Sequence, residues 1–274
     1  MTKHAFKSDG SVVLYDKILT NIRSGYDATT GTFTAPVEGT YVFHFYALAS
    51  LNSIIWIELF HNNQYVVSSY GYTNGSYASS GNTVVLRLHI ADTVKIKTRR
   101  GTDVKLYGAS GQYYASFCGA LLSPSLHEEG SNTQHEIAFS VGLSHSESAA
   151  DSPNVVFNRV FVNLGQNFNV NTGIFTATVP GIYAFHYHAT AQKGKSIWME
   201  LYRNYIYVNS LYGSIIGDVG PGGNSAVLEL VAGDTVYLDI QHHGSFLYGE
   251  RDRIYATFSG YLLSTIAVSH PIIG

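Results

Sequence analysis

Apolar and polar residues alternate along most of the chain with the period of two that half-buried strands show. Tyr41, Phe43 and Phe45 alternate with Val42 and His44, and Tyr183, Phe185 and Tyr187 repeat the pattern. The segments SIIWIELF (53–60) and SIWMELY (196–202) read as further strands with Trp and Glu at alternating positions. NTVVLRLHIADTVKIK (82–97) predicts two strands in a hairpin around Ala91-Asp92, and NSAVLELVAGDTVYLD (224–239) its copy around Gly233-Asp234. Short strands separated by Gly, Asn and Ser turns predict an all-β sandwich or jelly roll. No segment has the 3.6-residue period of an amphipathic helix.

The chain repeats itself. GTYVFHF (39–45) matches GIYAFHY (181–187), and the same offset pairs Trp56 with Trp198, Glu58 with Glu200 and Asn82 with Asn224. One residue is lost near 101–105, after which Leu106-Tyr107-Gly108 matches Leu247-Tyr248-Gly249 and ASFCGALLS (115–123) matches ATFSGYLLS (256–264). A period this long marks a duplicated domain: residues 1–124, a polar linker over 125–134, and residues 135–274.

Composition agrees with a β fold. The 274 residues include 21 Tyr, 14 Phe and 27 Gly but only 2 Met and 6 Pro, and 13% are charged, about half the usual share of roughly 25%. A disordered chain, a coiled coil and a basic nucleic-acid binder are excluded. No apolar run is long enough to insert in a membrane as a helix, and the first ten residues carry no signal-peptide h-region. The single cysteine, Cys118, excludes an intrachain disulfide framework and Cys-based zinc sites. Its place opposite Ser259 in the repeat predicts a small packed side chain.

These aromatics carry a resemblance. In the second half Phe157, Asn163, Phe168, Phe175, Gly181, Tyr183, Phe185 and Tyr187 stand at the spacing of the complement C1q globular-domain signature. The first half repeats it as Tyr15, Asn21, Tyr26, Phe33, Gly39, Tyr41, Phe43 and Phe45, with Tyr15 in place of Phe. The GDTVYL element of the second half and the closing FCGALL and FSGYLL also resemble that family. The resemblance implies two tandem C1q/TNF-like ten-stranded jelly-roll β-sandwiches that pack as trimers, three chains closing as two stacked rings in a pseudo-hexameric homo-oligomer. It further implies a secreted, extracellular, stalkless recognition protein of the invertebrate, mollusc-like lectin type, acting in innate immunity and binding glycans, some acidic and including sialic acid. A receptor ligand of the tumour necrosis factor kind and a structural or storage protein of a secretion are the alternatives.

Three groups of residues qualify as candidate sites. Lys95, Lys97 and Arg99 alternate along one strand and share a face. Their repeat counterparts are Tyr237, Asp239 and Gln241, so the fold does not require the cationic row. Charge agrees: residues 1–125 hold 10 Lys+Arg and 7 Asp+Glu, a net +3, whereas 126–274 hold 6 and 12, a net −6. The row suits carboxylated sugars or anionic polymers; the ordinary reading is an edge strand guarded by lysines. Tyr72, Asn74 and Tyr77 sit in a Tyr/Ser/Gly/Asn-rich segment with the chemistry of antibody loops, and Asn74-Gly75-Ser76 is a glycosylation sequon. His44 and His186 occupy the same repeat position, with His188 two residues on, but no third metal ligand is evident. Calcium remains open from the family resemblance, although no local acidic motif supports it, and no other cofactor is expected. Enzyme motifs are missing: no G-x-S-x-G and no H-E-x-x-H occurs, and Gly194-Lys195-Ser196 lacks the first phosphate-loop glycine, since position 189 is Ala. The aromatics of the signature, and Trp56 and Trp198 with them, are expected in the core or at a subunit interface.

Overall fold

The computed structural model describes residues 5–7, 10–72, 75, 77–109, 113–124, 136–148, 154–214, 220–240 and 245–266; the expected linker, 125–134, lies outside them. The first half contains β1 (Ala5–Lys7), β2 (Tyr26–Asp27), β3 (Thr32–Thr34), β4 (Gly39–Leu48), β5 (Ile54–His61), β6 (Gln64–Tyr72), β7 (Ser79–Leu88), β8 (Thr93–Thr98), β9 (Val104–Leu106) and β10 (Ser116–Pro124). The second contains β11 (Ala138–Leu143), β12 (Glu147–Ser148), β13 (Arg159–Leu164), β14 (Phe168–Asn169), β15 (Ile174–Thr176) and β16 (Gly181–Thr190). It continues with β17 (Ser196–Arg203), β18 (Ile206–Ser214), β19 (Pro221–Leu230), β20 (Thr235–Asp239), β21 (Phe246–Leu247) and β22 (Ala256–Thr265).

Each half is a jelly-roll sandwich of antiparallel sheets. The second pairs β14-β15-β20-β17-β18 with β13-β11-β22-β16-β19, and the first pairs β2-β3-β8-β5-β6 with a three-stranded β10-β4-β7. The signature aromatics face between the sheets because alternate residues of β4 and β16 point one way. Tyr41, Phe43, Phe45, Tyr183, Phe185 and Tyr187 are all buried.

Two local expectations are corrected. The segments flanking Ala91-Asp92 and Gly233-Asp234 are not hairpins: β7 and β8, like β19 and β20, belong to opposite sheets. The chain crosses between sheets at a left-handed residue, Ala91 (φ 71°) or Gly233 (φ 95°). The aspartate secures the corner, accepting from His89 N and Asn62 Nδ2 in the first half and from Val231 N and Asn204 Nδ2 in the second. True hairpin turns occur at Asn62-Asn63 and Asn204-Tyr205, whose paired positive φ angles match strand twist. Secondly, β8 lies between β3 and β5, so Lys95 and Lys97 do not guard an edge.

The halves pack against each other. Val42 and Val85 of the first half share a buried cluster with Ala138, Val162, Ala184 and Tyr261 of the second. Polar pairs cross the same boundary: Thr257 Oγ1 donates to Asn82 Oδ1 (2.6 Å), Ser68 N to Ile254 O (3.0 Å) and Ile254 N to Tyr65 Oη (2.7 Å). The β4/β7 face of the first half is therefore occupied within the chain.

Candidate functional site

Lys95, Lys97 and Arg99 emerge on the outer face of the five-stranded sheet of the first half. Alternation of β8 buries Val94, Ile96 and Thr98 and leaves the three cations partly accessible. Lys97 stands opposite Glu58 in register, with its ammonium 4.8 Å from the centre of the Phe60 ring. The Arg99 guanidinium lies 5.5 Å from the Trp56 ring and contacts Glu58 Oε1 at 3.3 Å. Glu58 itself is buried. Burial pushes its carboxyl pKa up, against the opposing pull of Arg99 and Arg253.

A fourth cation arrives from the other half. The guanidinium of Arg253 lies 5.0 Å from the Trp56 ring and pairs with Glu250 at 2.8 Å. Trp56 also meets Tyr70 edge-on at 5.1 Å, and Tyr70 meets Tyr255 of the second half at 6.3 Å. Two guanidinium groups thus share one indole across the domain boundary, a cation–π arrangement. Among the described residues the buried Trp56 Nε1 has no hydrogen-bond partner, an omission that costs roughly 1–3 kcal/mol.

The other candidates separate. Tyr72 ends β6 on the same face as Tyr70 and extends the aromatic surface away from Arg99. Tyr77 instead packs edge-on against Tyr107 at 5.3 Å, and Tyr107 against Tyr114 at 5.1 Å. Asn74 lies outside the described residues. Arg253 and Tyr255 escape a sequence reading because their contact with Trp56 and Tyr70 joins opposite halves of the chain. The repeated Trp was the available signal, and it marks an outer face, not the core: Trp56 is half-buried and Trp198 is 40% exposed. Cys118 is also corrected, being exposed where Ser259 is buried, because β11 and the first half cover Ser259 alone.

The histidines converge on the boundary. The His44 and His186 rings are 4.8 Å apart, and the Thr83 hydroxyl lies between His44 Nδ1 (2.9 Å) and His188 Nε2 (3.1 Å). Among the described residues no three His, Cys, Asp or Glu side chains are grouped to ligate a metal. Burial lowers the His44 pKa, and burial with the neighbouring imidazoles lowers His186 to about 4 and His188 to about 3.

Sandwich topology, duplicated signature and outer-face site define a tandem jelly-roll protein of the kind whose domains serve as recognition modules. The C1q domain model matches residues 1–122 and again 138–263, and the chain belongs to the C1q domain family. The mouse collagen alpha-1(X) chain is 32% identical over 130 residues, which are 46% of this chain and 18% of the collagen chain; the match thus spans under a fifth of that relative. The globular domain of zebrafish complement 1qA aligns at 26% identity and a TM-score of 0.40, over 48% of this chain and 99% of that domain. Murine APRIL aligns at 13% identity and a TM-score of 0.35, over 45% of this chain and 98% of APRIL. No helix among the described residues is long and apolar enough to cross a membrane.

Proposed function

We propose that the protein is a secreted, non-enzymatic, lectin-like recognition protein of innate immunity that binds acidic glycans, sialylated or microbial, on the outer face of its first domain. The observation that supports this reading is the convergence of Arg99 and Arg253 on Trp56, with Lys97 and Lys95 along the same strand. A carboxylate gains charge-assisted bonds from guanidinium groups, while aromatic faces accept the apolar side of a sugar ring. The counterparts Tyr237 and Asp239 make the second domain unsuited to the same ligand. Binding of the purified chain to a glycan array, with calcium and again with chelator, tests the reading. Selective signal on acidic glycans is expected, and a joint Lys97→Glu, Arg99→Glu change should lower it at least tenfold. A blank array under both conditions refutes it.

Weak single sites gain from multivalency, and the second half carries an uncovered copy of the face that the first half uses to hold it. Val85 is fully buried at the domain boundary, whereas its counterpart Val227 is 65% exposed. The Trp198–Tyr212 pair repeats Trp56–Tyr70 in an edge-on contact at 6.1 Å, with Tyr212 63% exposed. Copies are therefore expected to associate through this face. Sedimentation velocity should show oligomers that a joint Trp198→Ser, Val227→Ser variant shifts toward monomer; identical profiles would refute this.

A further inference from the structure

The outer face of the second half carries aromatic rings that the fold does not call for. Leu201, Val236 and Leu238 turn into the core. The residues alternating with them, Tyr202 of β17 and Tyr237 and Asp239 of β20, therefore stand on the other side of the sheet. In register, Tyr202 lies between Tyr237 and Tyr207 of β18, and Glu200 lies opposite Asp239. The Tyr202 and Tyr237 rings are parallel (5.5 Å, 9° between planes), Tyr207 meets Tyr202 edge-on at 6.1 Å, and Tyr205 stands against Tyr237 at 6.0 Å and 62°. Tyr202 Oη donates to Glu200 Oε2 at 2.7 Å. That hydrogen bond, with burial and the charges of Glu200 and Asp239, pushes the Tyr202 pKa up to about 12, the mark of a negative field at the rings. Arg203, the next residue, is turned to Asp234 at 2.7 Å.

Tyr205 is the costly member of this group. It is the second residue of the Asn204-Tyr205 turn, at φ 66°, a backbone region that bulky side chains rarely adopt, and it is 84% exposed. The first half makes the same turn with Asn62-Asn63, so neither the backbone nor the core requires a tyrosine there. The first half also shows what occupies the corresponding place. Phe60 is the counterpart of Tyr202, and the Lys97 ammonium lies 4.8 Å from the centre of its ring, with Glu58 opposite Lys97 in register. The second half keeps the ring as Tyr202 and the glutamate as Glu200, but puts Asp239 in place of Lys97 and Tyr237 in place of Lys95. Rings are added where the chain's own cation is replaced by a carboxylate, and the face becomes complementary to a cation from outside.

We propose that Tyr202, Tyr205, Tyr207 and Tyr237 form a site for a small organic cation with a quaternary ammonium head, of the choline type. The negative faces of the rings attract such a cation, and Glu200 and Asp239 add charge beside them. A quaternary ammonium has no N–H to satisfy, so it lies against ring faces without needing the carboxylate oxygen that Tyr202 already uses. Phe60, Lys95 and Lys97 stay partly accessible with the second half packed on the first. Association of copies through the Trp198 face therefore leaves the corresponding site open.

The test is calorimetric titration of the full chain with choline chloride, beside neohexyl alcohol, its uncharged carbon isostere, and galactose. Saturable choline binding is expected, with the isostere and the sugar each at least tenfold weaker. Tyr205→Asn, which restores the residue of the first-half turn, should weaken choline binding at least fivefold while the melting temperature stays level or rises. Tyr237→Lys, which brings in the ammonium of the first half, should abolish binding. Phosphatidylcholine vesicles are expected not to bind, because Glu200 and Asp239 repel the headgroup phosphate. No saturable choline binding, or equal binding of the isostere or of galactose, would overturn the proposal. So would a lowered melting temperature of Tyr205→Asn with choline binding intact, which would make Tyr205 structural, or binding to vesicles without binding to free choline.

Discussion

Replacement of Phe185 by alanine is expected to destabilise the second domain by about 3–5 kcal/mol, the range for deleting a buried aromatic ring. Phe185 is fully buried on β16, between Phe175 at 5.4 Å and Phe258 at 6.1 Å. Neighbours held in two β-sheets cannot close around the lost ring without breaking ladder hydrogen bonds, so most of the cavity persists. Gly260, opposite Phe185 in register, has no side chain with which to fill it. Chemical denaturation monitored on the second-domain transition measures the loss. A midpoint within about 0.5 kcal/mol of the parent, the usual range for neutral surface changes, would place the ring outside the core.

Acidification is the second large effect. Free imidazole titrates near pH 6.5, whereas His186 and His188 at the domain boundary are held down at about 4 and about 3, chiefly by burial. Their depressed values mean that the folded state refuses protons which the unfolded chain accepts. Stability from these groups is complete above about pH 6.5 and falls as the pH drops toward 4, by about 1.4 kcal/mol per pH unit for each proton excluded. The His44 and His186 rings face each other, His186 Nε2 lies 3.3 Å from Tyr261 Oη, and the His188 ring is 6.0 Å from Tyr46. No carboxylate contact with these rings is seen among the described residues, so a charged imidazole there meets other imidazoles and phenols. Melting temperature is expected to fall steeply between pH 6.5 and 4. His188→Gln, which keeps a hydrogen bond to Thr83 within reach, should flatten that slope by about one proton. An unchanged slope would show that these histidines are not the titrating groups.

Much of the fold was legible because β periodicity is local. The alternation of Tyr41, Phe43 and Phe45 and its copy specified which faces are buried, and the repeat identified two like domains before any contact was known. Lys95, Lys97 and Arg99 stood out because the duplicate discards them. Local pattern failed at Ala91-Asp92, where a corner between sheets and a hairpin share the same strand–turn–strand signature and differ only in which strands they pair with. It failed again at Trp56, since an aromatic on a strand face does not say whether a sheet, another domain or solvent lies over it.

The sequence by itself determined the class of fold, the duplication and the side of each strand that turns inward, since these depend on neighbours two residues apart. Tertiary structure alone decided that Arg253 joins Arg99 at Trp56 and that three histidines share one boundary. Both depend on how the two halves meet. Such contacts join residues far apart in the chain, through surfaces whose composition is alike whether they end up covered or exposed.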